Sequence, residues 1–259
     1  MIPGIDKRQV ERQFSRAART YDDAAAVQHQ MSNNLMSLLI DAFTDSPETI
    51  LDMGCGTGYS LEQLSSKFPQ ARMTGIDLSH SMLIMARHRN PQATYIQADM
   101  ECFHSETSFD LVFSNASIQW CDLEAVIQTA NQCLNPGGLF VYNSFGPGTH
   151  REIARAWNMA QPGKVHHIDF LGESDHLSAL EQFDFEMLNH RRQLIAPQFD
   201  TTHSLLYSIK QTGATNASLL RDKGLLSREI YARFLEYLGQ TSPLKLSYET
   251  LSFVVRKPD

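Results

Sequence analysis

The sequence predicts an α/β fold: a seven-stranded, mostly parallel sheet with helices on both faces and an antiparallel edge strand. From Glu48 to Phe145, short apolar runs alternate with helical patterns, which is the signature of a parallel sheet covered on both sides. The last two predicted strands lack a long helix between every pair, so antiparallel pairing is expected there. A length of 259 residues and a hydrophobic content of 42% fit one such domain with a continuous core.

The first half contains five predicted strands. In chain order they are Thr49–Leu51, Arg72–Leu78, Thr94–Ala98, Phe109–Asn115 and Leu139–Asn143. The helix after the first strand carries Leu61 and Leu64 and ends at Pro69, and Ser79 is a plausible N-cap for the next helix. A further helix, with Val126 and Ile127 on its apolar stripe, is expected to end at the proline and glycines of residues 135–138.

The second half has a looser pattern of four helices and two strands. The predicted helices are Thr149–Met159, Ser174–Phe183, Thr201–Gln211 and Ser227–Leu238, and the predicted strands are Glu186–Ile195 and Leu246–Arg256. These two strands complete the seven.

Charge and composition exclude several classes of protein. The net charge of −7 disfavours general nucleic-acid binding, although five of the 22 basic residues and only two of the 29 acidic ones lie in residues 1–20. No apolar run approaches the roughly 18 residues of a membrane-spanning helix, and no secretory signal is apparent, so a cytoplasmic location is expected. The four cysteines show no metal-binding or disulfide spacing, so neither a metal site nor a disulfide framework is predicted. As for the oligomeric state, the sequence is compatible with a monomer.

A glycine-rich turn follows the first strand, in the segment Asp52-Met53-Gly54-Cys55-Gly56-Thr57-Gly58. Such a turn lets a ligand approach the backbone, and the helix that follows offers free N–H groups to an anion. A dinucleotide fingerprint is excluded because Tyr59 occupies the position of its third glycine. A phosphate-binding P-loop is excluded because no Gly-Lys-Ser/Thr follows.

These residues resemble the class I S-adenosylmethionine-dependent methyltransferases, whose fold is Rossmann-like. The resemblance covers the segment LDMGCGTGYS (residues 51–60), Asp77 at the end of the second strand, Asp99 after the third, and the strand FDLVFSN. It implies S-adenosyl-L-methionine as cofactor, because three acids follow three successive strands at the sheet edge where α/β folds bind ligands.

The resemblance also implies a role for each cofactor residue. Asp52 would meet the ammonium group, and the loop of Gly54, Cys55, Gly56 and Gly58 would meet the carboxylate. Asp77, with Leu78 beside it, would accept the ribose hydroxyls. Asp99 would accept from the adenine amino group while Met100 packs the ring, and Asn115 would orient the bound molecules.

A closer resemblance, over residues 8–257, is to the malonyl-[acyl-carrier protein] O-methyltransferase family. It rests on the leading helix at Phe14–Asp22 with Gln28 following, on Ser114–Cys121, on Ser208–Asn216 and on Pro243–Tyr248. It implies methylation of the free carboxylate of a malonyl thioester, carried by acyl-carrier protein or coenzyme A, as an early step of biotin synthesis. It also implies a helical cap over residues 1–45, a cofactor-binding half over 46–145 and a substrate-side elaboration over 146–259.

Candidate substrate residues follow from this family resemblance. Tyr21 would cap the site or pack in the core, and Gln119 and Trp120 would line the pocket. Arg16 and Lys210, with Arg151 as a competitor, would clamp the malonyl carboxylate or lie on solvated faces. Gly213–Asn216 is expected to form a helix C-cap and turn. An acidic carrier protein could dock on a basic patch drawn from Arg8, Arg12, Arg19, Arg191, Arg192, Arg221 and Lys223.

Two alternatives stay open. Residues 114–121 also resemble trans-aconitate and quinone methyltransferases, so the acceptor could be a quinone ring or a polycarboxylic acid. That reading gains weight if His150 or His203 points into the pocket, because a carbon acceptor needs a general base. The second alternative is a non-catalytic S-adenosylmethionine-binding protein.

Overall fold

The computed structural model describes residues 5–40, 46–164, 166, 169–213, 226–240 and 242–259. The strands among these residues form one seven-stranded sheet. The strands are β1 (Thr49–Met53), β2 (Arg72–Asp77), β3 (Thr94–Gln97), β4 (Phe109–Ser114), β5 (Leu134–Phe145), β6 (Glu186–Ile195) and β7 (Tyr248–Arg256). Their order across the sheet is β3-β2-β1-β4-β5-β7-β6. Strands β1 to β5 are parallel, and β7 pairs antiparallel with both β5 and β6. The expected antiparallel edge is confirmed, with the reversed strand second from the edge.

The described helices lie before the sheet and between its strands. They are α1 (Lys7–Ala17), α2 (Tyr21–Ala24), α3 (Ala26–Ile40), α4 (Tyr59–Lys67), α5 (His80–Arg89), α6 (Leu123–Cys133), α7 (Arg151–Ala160), α8 (Glu173–Glu181), α9 (Thr202–Gln211) and α10 (Arg228–Gly239). A short 3₁₀ turn spans Ile118–Trp120. No helix among the described ranges is long and apolar enough to cross a membrane.

Successive residues of the central strands face two different helical layers. Ile50 packs with Leu35 of α3 and Leu83 of α5, whereas Leu51 packs with Val126 of α6. This alternation follows from the two-residue period of a strand, which points neighbouring side chains to opposite faces. A sheet covered on both faces explains why β1, β4 and β7 are buried at nearly every position, whereas the edge strand β6 is mostly exposed or half-buried.

Two predicted boundaries differ from the structure. The predicted leading helix over Phe14–Asp22 is interrupted, because α1 ends at Ala17 and α2 begins only at Tyr21 after a turn. The predicted turn at residues 135–138 lies inside β5, which begins at Leu134. The pairing of β4 with β5 shifts register between Phe109 and Leu111, so the glycines form an irregularity within the strand rather than a break before it.

Candidate active site

A pocket of about 880 Å³, counting the part open to solvent, lies at the carboxyl ends of β1 to β4 and beneath α1 and α2. Eight of the ten predicted cofactor residues line it: Gly54, Cys55, Gly56, Asp77, Leu78, Asp99, Met100 and Asn115. They come together because parallel strands all present their carboxyl ends at the same edge of the sheet. Two predicted substrate residues, Tyr21 and Trp120, also line the pocket.

The glycine loop is closely packed at Gly54. Gly54 has a φ of +75°, and a Cβ there would lie 2.5 Å from the side chain of Ser117 and 2.7 Å from Met100. Gly58, which does not line the pocket, is the N-cap of α4 with a φ of +82°, and a Cβ there would lie 3.1 Å from Ala86. Gly58 therefore allows the start of α4 to pack closely against α5, and its role is not contact with a ligand.

The backbone amides expected to bind the cofactor carboxylate already have partners. Gly54 and Cys55 both donate to the carbonyl of Ile76, and Gly56 donates to Asp77 at 2.9 Å. Amides in the first turn of a helix have no partner within it, and Tyr59 and Ser60, in the first turn of α4, line the same pocket. An anion is therefore expected at the start of α4 rather than on the glycines themselves.

Of the three acids, Asp52 is buried and Asp77 is half-buried, and neither has a cationic partner among the described residues. Neither carboxylate oxygen of Asp52 has a hydrogen-bond partner among the described residues, and burial together with Asp77 raises the pKa of Asp52 to about 8. Burial also raises the pKa of Asp77 to about 6, although the backbone amides of Gly56 and Ser79 donate to it and oppose the shift. Asp52 lies outside the pocket wall, two residues before Gly54. A positively charged ligand group near Asp52 would relieve both effects.

The third acid, Asp99, is paired with a residue that sequence reasoning did not place in the site. Lys7 Nζ lies 3.0 Å from Asp99 Oδ1, 2.7 Å from Glu101 and 3.2 Å from the Cys121 sulfur. Burial alone would lower the pKa of Lys7, but Cys121, Glu101 and Asp99 outweigh it and raise the pKa. The ligand atoms of Asp99, Glu101 and Cys121 lie within 4.8 Å of one another, so the ammonium group takes the position that a metal ion would need.

A second set of contacts ties α2 to the glycine loop. Asp22 accepts hydrogen bonds from Thr57 and from Arg89, each at 2.7 Å, and lies 3.4 Å from His29. Burial would raise the pKa of Asp22, but His29, Thr57 and Arg89 outweigh it and hold that pKa well below its usual range. The segment α1–α2, here called the cap, is thus anchored at both ends, by Lys7 and by Asp22.

Aromatic rings of the cap close the pocket from above. Phe14 packs edge-on against Trp120 with ring centroids 5.7 Å apart and lies 6.3 Å from Tyr21. Burial, together with Asp22 and Asp77, raises the pKa of Tyr21, so its hydroxyl keeps its proton and is a donor.

Neutral polar groups form the far wall. Asn115 donates to the Gln28 carbonyl at 3.1 Å and accepts from Asn143 at 2.8 Å, which fixes its orientation. Gln119 is buried and donates to Ala116, but it does not line the pocket, and its Oε1 has no partner among the described residues. Gln28 lines the pocket with a buried side chain.

The predicted carboxylate clamps lie elsewhere. Arg16 is exposed and outside the pocket, because Lys7 and Phe14 occupy the opposite face of α1. Lys210 is exposed at the end of α9. Arg151 is exposed and pairs with Glu152 at the start of α7, where it lines a separate groove.

The predicted histidines are also outside the pocket. His150 is buried, which lowers its pKa to about 4, and its ring packs against Tyr248. His203 is exposed and stacks on Tyr207. The histidine that does line the pocket is His29, stacked on Tyr59 with ring centroids 3.8 Å apart.

The predicted turn and docking patch are only partly described. Gly213 has the expected positive φ of +70°, whereas Ala214, Thr215 and Asn216 lie outside the described residues. Arg221 and Lys223 also lie outside them. Arg8, Arg12 and Arg19 are exposed on or just after α1, and Arg191 and Arg192 are exposed on β6, where Arg192 pairs with Glu249.

Four of the pocket residues that sequence reasoning missed lie on α1 of the cap. Lys7, Val10, Glu11 and Phe14 are spaced i, i+3, i+4 and i+7, so they form one face of α1, and all four line the pocket. This helical spacing was visible in the sequence, and it indicates that this face of α1 is covered by another part of the protein. The spacing alone does not indicate that a ligand pocket lies beneath the face.

Comparison with known proteins agrees with the predicted family and fold. The family model described as "Methyltransferase domain" matches residues 50–138. Malonyl-[acyl-carrier protein] O-methyltransferase of Halalkalibacterium halodurans is 32% identical over 91% of this chain and 92% of that protein. Biotin biosynthesis bifunctional protein BioHC of Cellvibrio japonicus is 32% identical over 100% of this chain and 52% of that protein.

A solved structure supports the fold alone. N-methyltransferase NodS from Bradyrhizobium japonicum WM9, in complex with S-adenosyl-L-homocysteine, superposes with a TM-score of 0.52 at 15% identity, covering 89% of this chain and 87% of that one. The sheet is therefore that of a class I methyltransferase, as expected. Given the sequence identity to the Halalkalibacterium protein over nearly the whole of both chains, this chain belongs to the malonyl-[acyl-carrier protein] O-methyltransferase family.

Proposed function

We propose that this protein transfers the methyl group of S-adenosylmethionine to the free carboxylate of a malonyl thioester carried by acyl-carrier protein, giving the methyl ester at an early step of biotin synthesis. The observation that carries the proposal is the buried carboxylate of Asp52 beside the pocket, with no partner for either oxygen in the described part of the chain. The cofactor's ammonium is the kind of group that such a carboxylate needs.

The other polar parts of the cofactor also match groups of the site. The carboxylate fits the first-turn amides of Tyr59 and Ser60, and the ribose hydroxyls fit Asp77 and the adjoining Leu78. The adenine fits the space beside Asp99 and Met100, where Asp99 can accept from an amino group. The bound cofactor supplies a methyl group on a positively charged sulfur, which is open to in-line attack by an anion.

The protein's own contribution is positioning and the exclusion of water. The cap brings Phe14 and Tyr21 over the pocket against Trp120, which shields the reacting groups from solvent. Holding two reactants in line can remove roughly 7 to 11 kcal/mol of a barrier. Ion pairs at both ends of the cap keep it over the pocket.

A malonyl carboxylate suits this site because it needs no general base. A carboxyl group with a reference pKa of about 4 is already ionised at neutral pH. The protonated hydroxyl of Tyr21 and the amide of Gln28 are the donors that we assign to orienting it, with Asn115 holding Gln28 in place. Gln119, buried beneath them, would support this wall. Arg16 and Lys210 are not assigned to the clamp because they lie outside the pocket.

A ring-carbon acceptor is the second candidate, favoured by one observation only: His29 lines the pocket and could act as a base. Its ring is stacked on Tyr59 and its Nε2 lies 3.4 Å from Asp22. Those contacts give His29 a structural role in anchoring the cap, so the carboxylate acceptor is the better fit.

The test is transfer of a labelled methyl group from S-adenosylmethionine to malonyl-carrier protein, with acetyl-carrier protein as the matched control that lacks the carboxylate. We expect label on the malonyl form only, removable by an esterase. Label on both forms, or on neither although the cofactor binds, would overturn the assignment. Transfer to a quinone by the same preparation would support the second candidate.

A further inference from the structure

The helix that covers the pocket has a second, basic face. On α1, Arg8, Arg12 and Arg16 are spaced i, i+4 and i+8, so they form a row on one side of the helix about 12 Å long. All three side chains are exposed, and none of them forms an ion pair with another described residue. Their row, here called the arginine row, points away from the face formed by Lys7, Val10 and Phe14.

The arginine row has a charge opposite in sign to the net charge of the whole chain. The net charge is −7, and the acidic residues outnumber the basic ones by 29 to 22 over the whole chain. Arg151 and Arg192, by contrast, are exposed arginines that do have a carboxylate partner within the chain, Glu152 and Glu249. The arginine row can therefore form ion pairs with carboxylates of another molecule.

We infer that the arginine row is the docking surface for the acidic carrier protein that delivers the malonyl group. The inference rests on the proposed function, and it commits to one occupant: a carrier domain that presents carboxylates at a matching one-turn spacing. Arginine suits this contact because its planar fork binds carboxylates through two hydrogen bonds.

The position of the row explains why docking there would serve the reaction. The same eleven-residue helix carries the row on its outer side and pocket-lining residues on its inner side. A carrier bound to the outer side lies next to the pocket into which its thioester arm must reach. The predicted arginines of β6 belong to a different element, and Arg192 is already paired with Glu249, so they are not part of this surface.

The test compares two acceptors in wild-type protein and in the charge-reversal variant Arg8→Glu, Arg12→Glu, Arg16→Glu. One acceptor is malonyl-carrier protein, and the other is malonyl-pantetheine, which has the same reacting group but no carrier domain and no phosphate. We expect kcat/KM for the carrier form to fall about tenfold or more, with kcat/KM for malonyl-pantetheine within about twofold of wild type. Wild-type KM for the carrier form should rise with added salt, because exposed charge pairs are screened.

A matched variant controls for net charge. Lys67→Glu, Arg228→Glu, Arg233→Glu changes the charge equally at exposed positions of α4 and α10, away from the pocket. It should leave both acceptors unaffected. Equal losses for both acceptors in the arginine-row variant, or no loss for the carrier form, would overturn the inference.

Failure of the proposed function would look different, since wild-type protein would then methylate neither acceptor. Binding of wild-type protein to anionic vesicles or duplex DNA through the arginine row, with no binding of the carrier, would also overturn the inference.

Discussion

Replacing Lys7 with methionine should release one end of the cap and weaken cofactor binding. Lys7 makes ion pairs of 3.0 Å with Asp99 and 2.7 Å with Glu101, whose side chains are 26% and 25% exposed. Hydrogen bonds to charged groups contribute about 1.5 to 3 kcal/mol when buried, and exposed pairs about 0 to 1 kcal/mol. Partly exposed pairs such as these should contribute about 1 kcal/mol each, or about 2 kcal/mol together.

The expected consequence is a dissociation constant for S-adenosylhomocysteine raised about 30-fold, since 1.4 kcal/mol corresponds to tenfold. Titration calorimetry measures that constant, and amide hydrogen exchange along α1 reports whether the cap opens. Lys67→Met, an exposed lysine on α4, is the matched control and should change neither. Unchanged affinity together with unchanged exchange along α1 would refute the account of the cap.

Three further outcomes follow from the site. Gly54→Ala should abolish cofactor binding because the new methyl group would overlap Ser117. Gly56→Ala has nothing within 4 Å of its new Cβ, so it should cost only the strain of its positive φ. Equal cofactor affinities of the two variants, measured by calorimetry, would contradict this expectation. The free protein should lose stability as pH rises from about 4 toward 8, because Asp52, with its pKa raised to about 8, keeps a proton that the unfolded chain has released. Thermal melts of Asp52→Asn should show a flatter pH dependence, and an unchanged slope would count against a buried, unpartnered carboxylate. His29→Gln should retain methyl transfer to malonyl-carrier protein with a raised KM for the cofactor, whereas loss of turnover at saturating cofactor would contradict a transfer that needs no general base.

The cofactor half of the molecule was predictable because its signals are local. The first four predicted strands of this half end at or near a residue that lines the pocket, and the strand order of a doubly wound sheet brings those ends together. The periodicity of a strand and the turn that follows it can both be read within about ten residues.

The contacts that anchor the cap were not predictable because they are long-range. Lys7 forms an ion pair with Asp99, which is 92 positions away in the sequence, and the hydrophobic periodicity of neither segment predicts that contact. Arg16 was a candidate for the substrate clamp from the family resemblance and its planar guanidinium group, but the helical phase of α1 turns it away from the pocket. Gly58 belongs to a recognisable motif, but only the neighbouring helix shows that packing against Ala86 is what requires a glycine.

The pocket under the cap should bind the methyl-donating cofactor through the acids at the strand ends. A crystal structure of the protein with S-adenosylhomocysteine would show where that ligand binds. We expect the ligand's amino group beside Asp52, its ribose hydroxyls on Asp77 and its adenine between Asp99 and Met100. Density for the ligand at another place, or a pocket that stays empty at saturating ligand, would contradict it.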